Sequence, residues 1–449
     1  MKFLKRAGII NVYIKNIKKS IHDISRIDLF IILALLIFAS IPVFNYFYRS
    51  GAEENKINLY VSARGEELFF NEKAEALLLD FMERNPGLTV NLIKVSELSP
   101  ELKPATEGDI FIFEDYEYNA LVSDGLLADL NQFNNFSLTD SINAGKHQYS
   151  IPLVYFMDVL FYNIEILTSV GLDRPPKTRE EFLSCARDIS NIINANPASP
   201  AIASRAYVGL DLSLDAKDKQ ALSRDVFSWI WAAGGNFWSE ENKPTLNATD
   251  TAGVLSFLKN LYQENTLNHH IFDSTKTRRV EEFANGKIAM MISSTSDIPY
   301  LREKMGDDIF GVTTIPVPEP EKEYNINLSG LHIGINPNCK NQEKALELIF
   351  FLAGQNQLFC EILKAVPGMV LQMVKDDYLK DDPFFYTKAL DIFEASSVVE
   401  GFSGKPGAEE YERIFLEELR LFLENDRAPL EAVNTIQARW DMINIEERS

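Results

Sequence analysis

Residues 152–163 read PLVYFMDVLFYN, a run of twelve residues that is almost entirely apolar. A typical strand needs only about five or six residues to span a sheet. This run is therefore long enough to leave one sheet and enter another. It predicts a crossover strand between two groups of strands, and the segments on either side extend that pattern.

Upstream of the crossover, strand and helix patterns alternate. A strand pattern begins at Ile57 (INLYVSA), and a helical stretch follows, EELFFNEKAEALLLDFMERNPG, in which Phe69, Ala76, Leu77 and Phe81 can share a face. The strands LTVNLIKV and DIFIFE come next, and then a predicted helix over 119–130. This order predicts an α/β sheet with ligand-facing loops at the strand ends.

Downstream of the crossover, helical patterns predominate, with short strand patterns between them. The predicted helices cover 178–193, 224–233, 249–263 and 341–352, and the predicted strands cover 287–293 and 309–315. In the helix over 224–233, the apolar surroundings of Trp229 and Trp231 predict core positions.

Length and charge restrict the class of protein. The chain has 449 residues, more than one hydrophobic core usually organises, so two lobes are expected. Its net charge is −21, but residues 1–50 hold eight basic and two acidic side chains, a local +6, which leaves −27 on the remainder. A body that acidic repels phosphate backbones, so nucleic acid is excluded as a partner.

The N-terminal segment has the pattern of a membrane anchor. Residues 29–44 (LFIILALLIFASIPVF) carry no charge, and seven of the eight basic residues precede them. The positive-inside rule predicts a cytoplasmic segment over 1–26, a transmembrane helix over 27–48 and a short tether over 49–56, with the body outside the cytoplasm. A cleaved signal peptide is the competing interpretation, although no small-x-small cleavage site follows the apolar run.

Motifs for catalysis and metal binding are lacking. The chain has five histidines and no HExxH, GxxxxGK[ST] or GxSxG sequence, and the neighbouring His269 and His270 do not naturally converge on one metal. The sequence therefore predicts no enzyme activity, catalytic residue, metal site or cofactor. Three cysteines without a CxxC pair allow at most one disulfide, and buried free thiols are the expectation.

Four blocks of sequence resemble one family when they are taken in order. They are HQYSIPLVYFMDVLFYNIEILTSVGLDRPPKTREEFLSCARDI (147–189), WIWAAGGNFWSEENKPTLN (229–247), EEFANGKIAMMISSTSDIPYLRE (281–303), and FGVTTIPVPEP (310–320) with NLSGLHIGINPNCKNQEKALELIFFLAGQNQ (327–357). From residue 57 to about 440, the chain resembles the family 1 extracellular solute-binding proteins of ABC importers, the sugar-binding, maltose-binding-protein-like class.

The resemblance implies a two-lobed α/β fold of class II type, with a hinge and a ligand cleft between the lobes. Lobe one would comprise 57–155 and 326–366, and lobe two would comprise 156–325 and 367–449. The implied function is that of the extracytoplasmic substrate-binding component of an ABC importer. It would close on a sugar or oligosaccharide and deliver it to the transmembrane permease.

The resemblance also places ligand-binding loops on this chain. Carried over position by position, the ligand-binding candidates are Ser62, Arg64, Glu66, Glu114, Asp115, Tyr116, Tyr155, Phe156, Trp238, Ser293, Ser296, Asp297, Gly330, Leu331, His332 and Phe402. Three of them depart from the family pattern: Phe156 stands where an acidic residue is common, and Ser296 and Leu331 stand where tryptophans are common. Two expected sugar-stacking surfaces are thus absent.

These departures leave a second hypothesis open, a membrane-anchored sensor or partner-interaction module that uses a diverged solute-binding fold. The cytoplasmic segment of about 26 residues, longer than an anchor needs, favours the same hypothesis. A glycan-active enzyme is poorly supported, because no catalytic pair can be nominated. Each ligand candidate also has a structural alternative: the acids at 114–115 can be solvated, and His332 can be a packing residue.

Overall fold

The computed structural model describes most of the chain after the predicted anchor. The described residues are 55–62, 65–95, 108–133, 148–195, 208–239, 243–268, 270–319, 323–363, 365–367, 382, 385–399, 401–403, 405 and 407–446. The predicted cytoplasmic segment, the predicted transmembrane helix, Arg64 and His269 lie outside these ranges. Among the residues that are described, no helix is both long and apolar enough to cross a membrane.

The chain divides into two compact units by its contacts. One comprises Ile57–Asn85 and Val90–Ser449, and the other comprises Met1–Lys56 and Pro86–Thr89. The first unit holds nearly all of the described strands and helices, and it is the body considered below.

Eleven strands are assigned in the described part of the chain. They are β1 (Lys56–Val61), β2 (Thr89–Lys94), β3 (Ile110–Glu114), β4 (Ile151–Asn163), β5 (Val208–Asp211), β6 (Ile288–Ser294), β7 (Phe310–Thr313), β8 (Tyr324–Ile326), β9 (Leu328–Ile335), β10 (Val366–Pro367) and β11 (Ser396–Val398). Nine form one mixed sheet in the order β2-β1-β3-β9-β4-β6-β5, with β7 and β10 also paired to β4, while β8 and β11 form a separate parallel pair.

Strand β4 makes the crossover that its length predicts. Its first half pairs antiparallel with β9, in a register that sets Tyr155 opposite Gly330. Its second half pairs antiparallel with β6 and with β7, and Asp158 lies opposite Ser294 where the β6 pairing begins. One continuous backbone thus joins two groups of strands, and the change of partners falls at residues 157–158.

Fourteen α-helices flank these strands in the described residues. They are α1 (Gly65–Phe69), α2 (Glu72–Arg84), α3 (Tyr118–Ser123), α4 (Ile164–Ser169), α5 (Arg179–Ala195), α6 (Ser228–Ala232), α7 (Ala248–Gln263), α8 (Lys276–Ala284), α9 (Ile298–Met305), α10 (Gln342–Ala353), α11 (Asn356–Leu363), α12 (Asp391–Glu394), α13 (Ala408–Glu424) and α14 (Pro429–Glu446). Short 3-10 helices cover Asp115–Glu117, Leu130–Gln132 and Thr295–Asp297, and π-helices cover Ser223–Phe227 and Phe385–Leu390.

The predicted alternation of strands and helices is confirmed, with two corrections. The helix predicted over 119–130 is wrong beyond Ser123, because Gly125 adopts a φ of 67° and ends it. The helix predicted after β1 is interrupted at Asn71, whose side-chain oxygen accepts hydrogen bonds from the first backbone N–H groups of α2. This restart rotates the buried face to Ala74, Leu78 and Phe81, and it leaves Ala76 exposed.

Aromatic side chains fill the core around α6, α13 and α14. Trp229 and Trp231 are buried, as the apolar helix predicted. Trp440 of α14 is also fully buried, and its indole N–H donates to the carbonyl of Tyr411 on α13 over 3.0 Å. This hydrogen bond gives the buried indole N–H of Trp440 a partner, and it links α14 to α13 in the core.

The three cysteines are free and buried, as expected from their number. Burial raises the pKa of Cys185 and of Cys339 to about 12. Both thiols therefore stay protonated at neutral pH, and a protonated buried thiol is a poor nucleophile.

Candidate functional site

A cavity of about 630 Å³ opens beside the point where β4 changes partners. Its lining residues come from five segments that are far apart in sequence, 115–119, 155–158, 220–223, 327–329 and 398–405. The residues are Asp115, Tyr118, Asn119, Tyr155, Asp158, Gln220, Ser223, Asn327, Leu328, Ser329, Val398, Val399, Gly401, Phe402, Ser403 and Lys405. The wall combines aromatic rings, acids, amides and hydroxyl groups, a mixture suited to a polar organic ligand.

Asp115 is held at the end of β3 by two donors from β9. The backbone N–H of Gly330 donates to one carboxylate oxygen, and Nε2 of His332 lies 2.5 Å from the other. Nδ1 of His332 lies 3.2 Å from the hydroxyl of Ser150. Both ring nitrogens of His332 therefore have a polar partner. The orientation of the Asp115 carboxylate in the cavity wall is therefore fixed.

Tyr155 packs against this group because residue 330 is a glycine. A Cβ atom at Gly330 would lie 2.8 Å from the Tyr155 ring and 2.9 Å from Nε2 of His332, closer than real Cβ contacts allow. Burial, with the Asp115 charge nearby, raises the pKa of Tyr155 far above its ordinary value. The phenol therefore remains protonated, and it can serve the cavity as a hydrogen-bond donor.

Asp158 and Asn327 form a second polar group in the wall. Both are at least nine-tenths buried, and the Asn327 amide nitrogen donates to Asp158 over 3.4 Å. Burial lowers the pKa of Arg224, but the charges of Asp225, Asp218 and Asp158 together raise it, and the ion pairs of Arg224 go to Asp218 and Asp225. Asp158 thus has the Asn327 amide as a hydrogen-bond partner and interacts electrostatically with the buried Arg224.

Ser223 and Ser403 form a third group together with Glu412 of α13. The two serine hydroxyl oxygens lie 3.0 Å apart, and each lies within hydrogen-bond distance of the same Glu412 oxygen, at 3.3 and 3.0 Å. Burial raises the pKa of Glu412 to about 7, and the neighbouring Glu409 adds to this effect. The two serines line the cavity, and the glutamate lies behind them.

Phe402 belongs to a buried aromatic stack. Its ring centroid lies 5.2 Å from that of Trp238 and 5.6 Å from that of Trp440, and both pairs are nearly parallel. Lys405 places its ammonium 5.5 Å from the Trp238 ring centroid, on the cavity side of this stack. The stack fixes the loop that carries Phe402 and Ser403.

The structure brings five of the candidate residues together. Asp115, Tyr155 and Phe402 line the cavity, and Gly330 and His332 hold Asp115 in place. Trp238 adjoins the cavity through its contacts with Phe402 and Lys405, and it is mostly buried.

The other described candidates lie away from the cavity lining. Phe156 and Leu331 are fully buried in β4 and β9, and Ser62 is buried at the end of β1. Glu66 pairs with Lys94. Glu114 is buried, and its backbone N–H donates to a carboxylate oxygen of Glu117. Tyr116 is half-buried in the short 3-10 helix that follows. Ser293, Ser296 and Asp297 bond within their own loop, and Asp297 also pairs with Lys276 at 2.9 Å.

Several lining residues were not predicted from the sequence. Asp158 carries a local signal, because it is the single charged residue in the run 152–163. Asn327, Ser223, Ser403 and Lys405 carry none, since polar residues in loops and helix ends are common. Only tertiary contacts bring them to one cavity.

No metal centre is indicated in the described part of the chain. There, no group of three or more histidine, cysteine, aspartate or glutamate side chains is arranged to hold an ion. The polar groups of the cavity instead suit hydrogen bonding to an organic solute.

Comparison with known families identifies the class of protein. The profile of the bacterial extracellular solute-binding proteins matches residues 76–383, which is more than half of the chain. The chain belongs to this family. The resemblance seen in the sequence blocks is thereby confirmed.

Curated relatives of this solute-binding protein are distant. A binding protein of Brucella abortus strain 2308 is 19% identical over 322 residues, which cover 68% of this chain and 73% of the relative. The diacetylchitobiose-binding protein DasA of Streptomyces coelicolor is 24% identical over 270 residues, which cover 56% of this chain and 58% of the relative.

Solved structures establish the fold of this solute-binding protein as two-lobed. Maltose-bound MalE3 of T. maritima superposes with a TM-score of 0.68 and 18% identity, covering 86% of this chain and 99% of that one. UgpB of Mycobacterium tuberculosis, in complex with glycerophosphocholine, superposes with a TM-score of 0.67 and 18% identity, covering 88% of this chain and 99% of that one. At such identities the likeness shows the fold, and the ligand has to be argued from the cavity.

Proposed function

We propose that this solute-binding protein is the substrate-binding component of an ABC importer and that its ligand is a sugar or oligosaccharide. Closure of two lobes on the ligand would create the surface that a permease recognises. No covalent chemistry is needed for this role. The cavity beside the β4 crossover is the observation that carries the proposal.

The lining of the cavity draws on both of the lobes predicted above, 57–155 with 326–366 and 156–325 with 367–449. Asp115, Tyr155 and Asn327 come from proposed lobe one, whereas Asp158 and Ser403 come from proposed lobe two. A ligand between them would contact both lobes. Its binding energy could therefore favour the closed arrangement over the open one.

The proposed location is the outer face of the cytoplasmic membrane, with a single N-terminal span over 27–48. The charge asymmetry on either side of that segment supports this orientation. An anchored binding domain would keep each captured solute close to the permease.

A thermal-shift screen tests the ligand class. The full chain in detergent micelles is heated with maltose, maltotriose and N,N′-diacetylchitobiose, and with amino acids, peptides and spermidine as comparison compounds. A ligand at about 100 times its dissociation constant stabilises the folded state by about 2.7 kcal/mol, which raises the melting temperature measurably. A rise with a saccharide alone is the expected result.

Other outcomes would redirect the proposal. Stabilisation by an amino acid, a peptide or spermidine would retain the binding role and reject the sugar. A cooperative melting transition that none of a broad saccharide panel shifts would contradict the importer function. It would favour the sensor or partner-binding alternative.

One observation keeps that alternative as a second candidate. Leu331 stands where a stacking tryptophan is common in the family, and its side chain is fully buried in β9. If the chain is a sensor, pull-down of the full chain from membranes should recover a signalling partner rather than a permease.

A further inference from the structure

Helix α14 carries an apolar ridge on the side that faces away from the core. Leu430 is 52% exposed and Met442 is 58% exposed, and Ala438 between them is exposed as well. Positions 430, 434, 438 and 442 follow one another at steps of four, so their side chains form one ridge along the helix. The opposite, buried side of the same helix is formed by Ala432, Val433, Ile436 and Trp440. A helix with apolar residues on two opposite sides is typically packed against a neighbour on both.

A shallow groove of about 620 Å³ lies along this ridge. Its lining residues are Ala428, Leu430, Glu431, Asn434, Thr435, Ala438, Arg439 and Met442. All of them belong to α14 or directly precede it. No second element of the described part of the chain therefore closes the groove.

Beside the apolar ridge, the groove carries one acid and one base that are eight residues apart, Glu431 and Arg439. The side chain of Glu431 is 63% exposed, and its ion-pair contact with Arg427 is long, at 3.7 Å. Arg439 donates to Glu418 and Glu417 from its two terminal nitrogens. Because a guanidinium has five N–H groups, these two hydrogen bonds leave capacity for a further acceptor.

This pattern is complementary to itself when the direction of the helix is reversed. A two-fold axis near position 436 would run two copies of α14 antiparallel, with Leu430 of one copy towards Met442 of the other and Glu431 towards Arg439. Each of these contacts would occur twice, as in any interface between identical surfaces. Two parallel copies would instead bring like charges together, which repel each other. Charge complementarity thus favours an antiparallel second copy as the occupant of the groove.

We propose that the outer face of α14 is a self-association surface, on which a second copy of this chain docks with its own α14 antiparallel. The apolar ridge supplies the contact area, and the two pairs of Glu431 with Arg439 set the direction. One helix pair is a small interface, so a dissociation constant in the micromolar range is expected. This face shares no lining residue with the cavity beside the β4 crossover, and its use does not depend on the ligand proposed above.

Analytical ultracentrifugation of the full chain in detergent micelles measures the association. The wild type should form dimers, and Leu430→Glu and Met442→Lys should each raise the dissociation constant at least about tenfold, because each dimer would hold two charges against the apolar ridge. Leu79→Glu, at a comparably exposed leucine on α2, is the matched control and should dimerise like the wild type. All three side chains are exposed, so the variants should fold, which thermal melting checks.

Mixing the two α14 variants tests the antiparallel direction. In a mixed dimer, the introduced acid of one chain would lie towards the introduced lysine of the other, and the second end of the interface would keep its native contact between Leu430 and Met442. A tagged Leu430→Glu chain should therefore retain an untagged Met442→Lys chain on an affinity resin, whereas each variant should retain little of itself. In a parallel pair the two introduced charges would lie at opposite ends, and mixing would restore nothing.

Salt dependence tests the contribution of the charged pairs. The wild-type dimer should dissociate more readily as the salt concentration rises, because exposed charges are screened. Glu431→Gln should reduce this dependence. Glu424→Gln, which removes an exposed acid that pairs within α13, should keep it.

Three results would overturn the proposal. The first is a wild type that stays monomeric at about 100 µM, well above a micromolar dissociation constant. The second is a dimer that Leu430→Glu and Met442→Lys leave intact, which would place the contact elsewhere, for example in the predicted anchor over 27–48. The third is a mixture of the two variants that associates no better than either alone. The solute-binding role is tested separately by the thermal-shift screen.

Discussion

At the scale of single residues, Asp211 has an unusual environment for an acid. It lies fully buried at the end of β5, close to Asp225 and Arg279. Arg279 is also fully buried, and its ion pair goes to Asp225. Burial first, and then the charge of Asp225, raises the pKa of Asp211 to about 7, while Arg279 acts in the opposite direction.

This shift makes the stability of the fold depend on pH. The ordinary pKa of Asp211 is 3.8, so between pH 4 and pH 7 the folded state binds a proton that the unfolded state has released. The contribution of Asp211 to the free energy of unfolding is therefore complete below pH 4 and decreases as the pH rises through 7.

Asp211→Asn should remove this dependence. Urea unfolding of wild type and variant at pH 5 and pH 8 gives the difference in free energy of unfolding at each pH. We expect the free energy of unfolding of the variant to increase relative to that of the wild type as the pH rises from 5 to 8. The reason is that the wild type loses stability when its buried Asp211 carboxyl ionises, whereas the amide of the variant does not ionise. An equal difference at the two pH values would show that Asp211 has an ordinary pKa.

At the scale of elements, α5 and β5 approach each other closely at Gly209. A Cβ atom at this position would lie 2.7 Å from the Cβ and 2.9 Å from the Cα of Ala186 on α5. Backbone atoms cannot move aside as a flexible side chain can. The glycine therefore sets the distance between the helix and the sheet edge, where β5 pairs with β6.

Gly209→Ala should destabilise the fold by about 1–3 kcal/mol through overpacking, measured by urea unfolding. Gly253→Ala is the matched control. This glycine lies on the exposed side of α7, and its nearest neighbour would be a side-chain nitrogen of Arg179 at 4.0 Å. Alanine there should be neutral or stabilising by up to about 1 kcal/mol. Equal stabilities for the two variants would contradict the close approach.

At the scale of the whole molecule, the proposed function requires the two proposed lobes to close on the ligand. Asp124 of proposed lobe one and Lys217 of proposed lobe two are both exposed, and the three native cysteines are buried and free. Spin labels can therefore be attached selectively at cysteines introduced at these two positions.

The double variant Asp124→Cys/Lys217→Cys should show a shorter mean label distance, by pulsed electron paramagnetic resonance, when the saccharide from the thermal-shift screen is added. The pair Lys217→Cys/Glu424→Cys, with both labels in proposed lobe two, should not change. An unaltered distance in the first pair, under conditions where binding is demonstrated, would exclude closure.

The sequence by itself determined the alternation of strands and helices, the β4 crossover and the family. These depend on local properties: hydrophobic periodicity, strand length and the glycine and proline signals at element ends. The helix over 119–130 was predicted too long, because the positive φ of Gly125 ends α3 after one and a half turns. The order of the four family blocks, rather than any one of them, indicated the class of protein.

Only the tertiary structure decided which polar groups share the cavity. Ser223 and Ser403 lie 180 positions apart in the chain, and Asp158 and Asn327 lie 169 apart, yet each pair is in contact. Asp115 was a candidate from its place at a strand end, but its fixed orientation depends on His332, which is 217 residues away. Hydrophobic periodicity indicates which face of a helix or strand is buried, and it depends only on residues close together in the chain. The convergence of distant loops depends instead on how the crossover strand brings two groups of strands together.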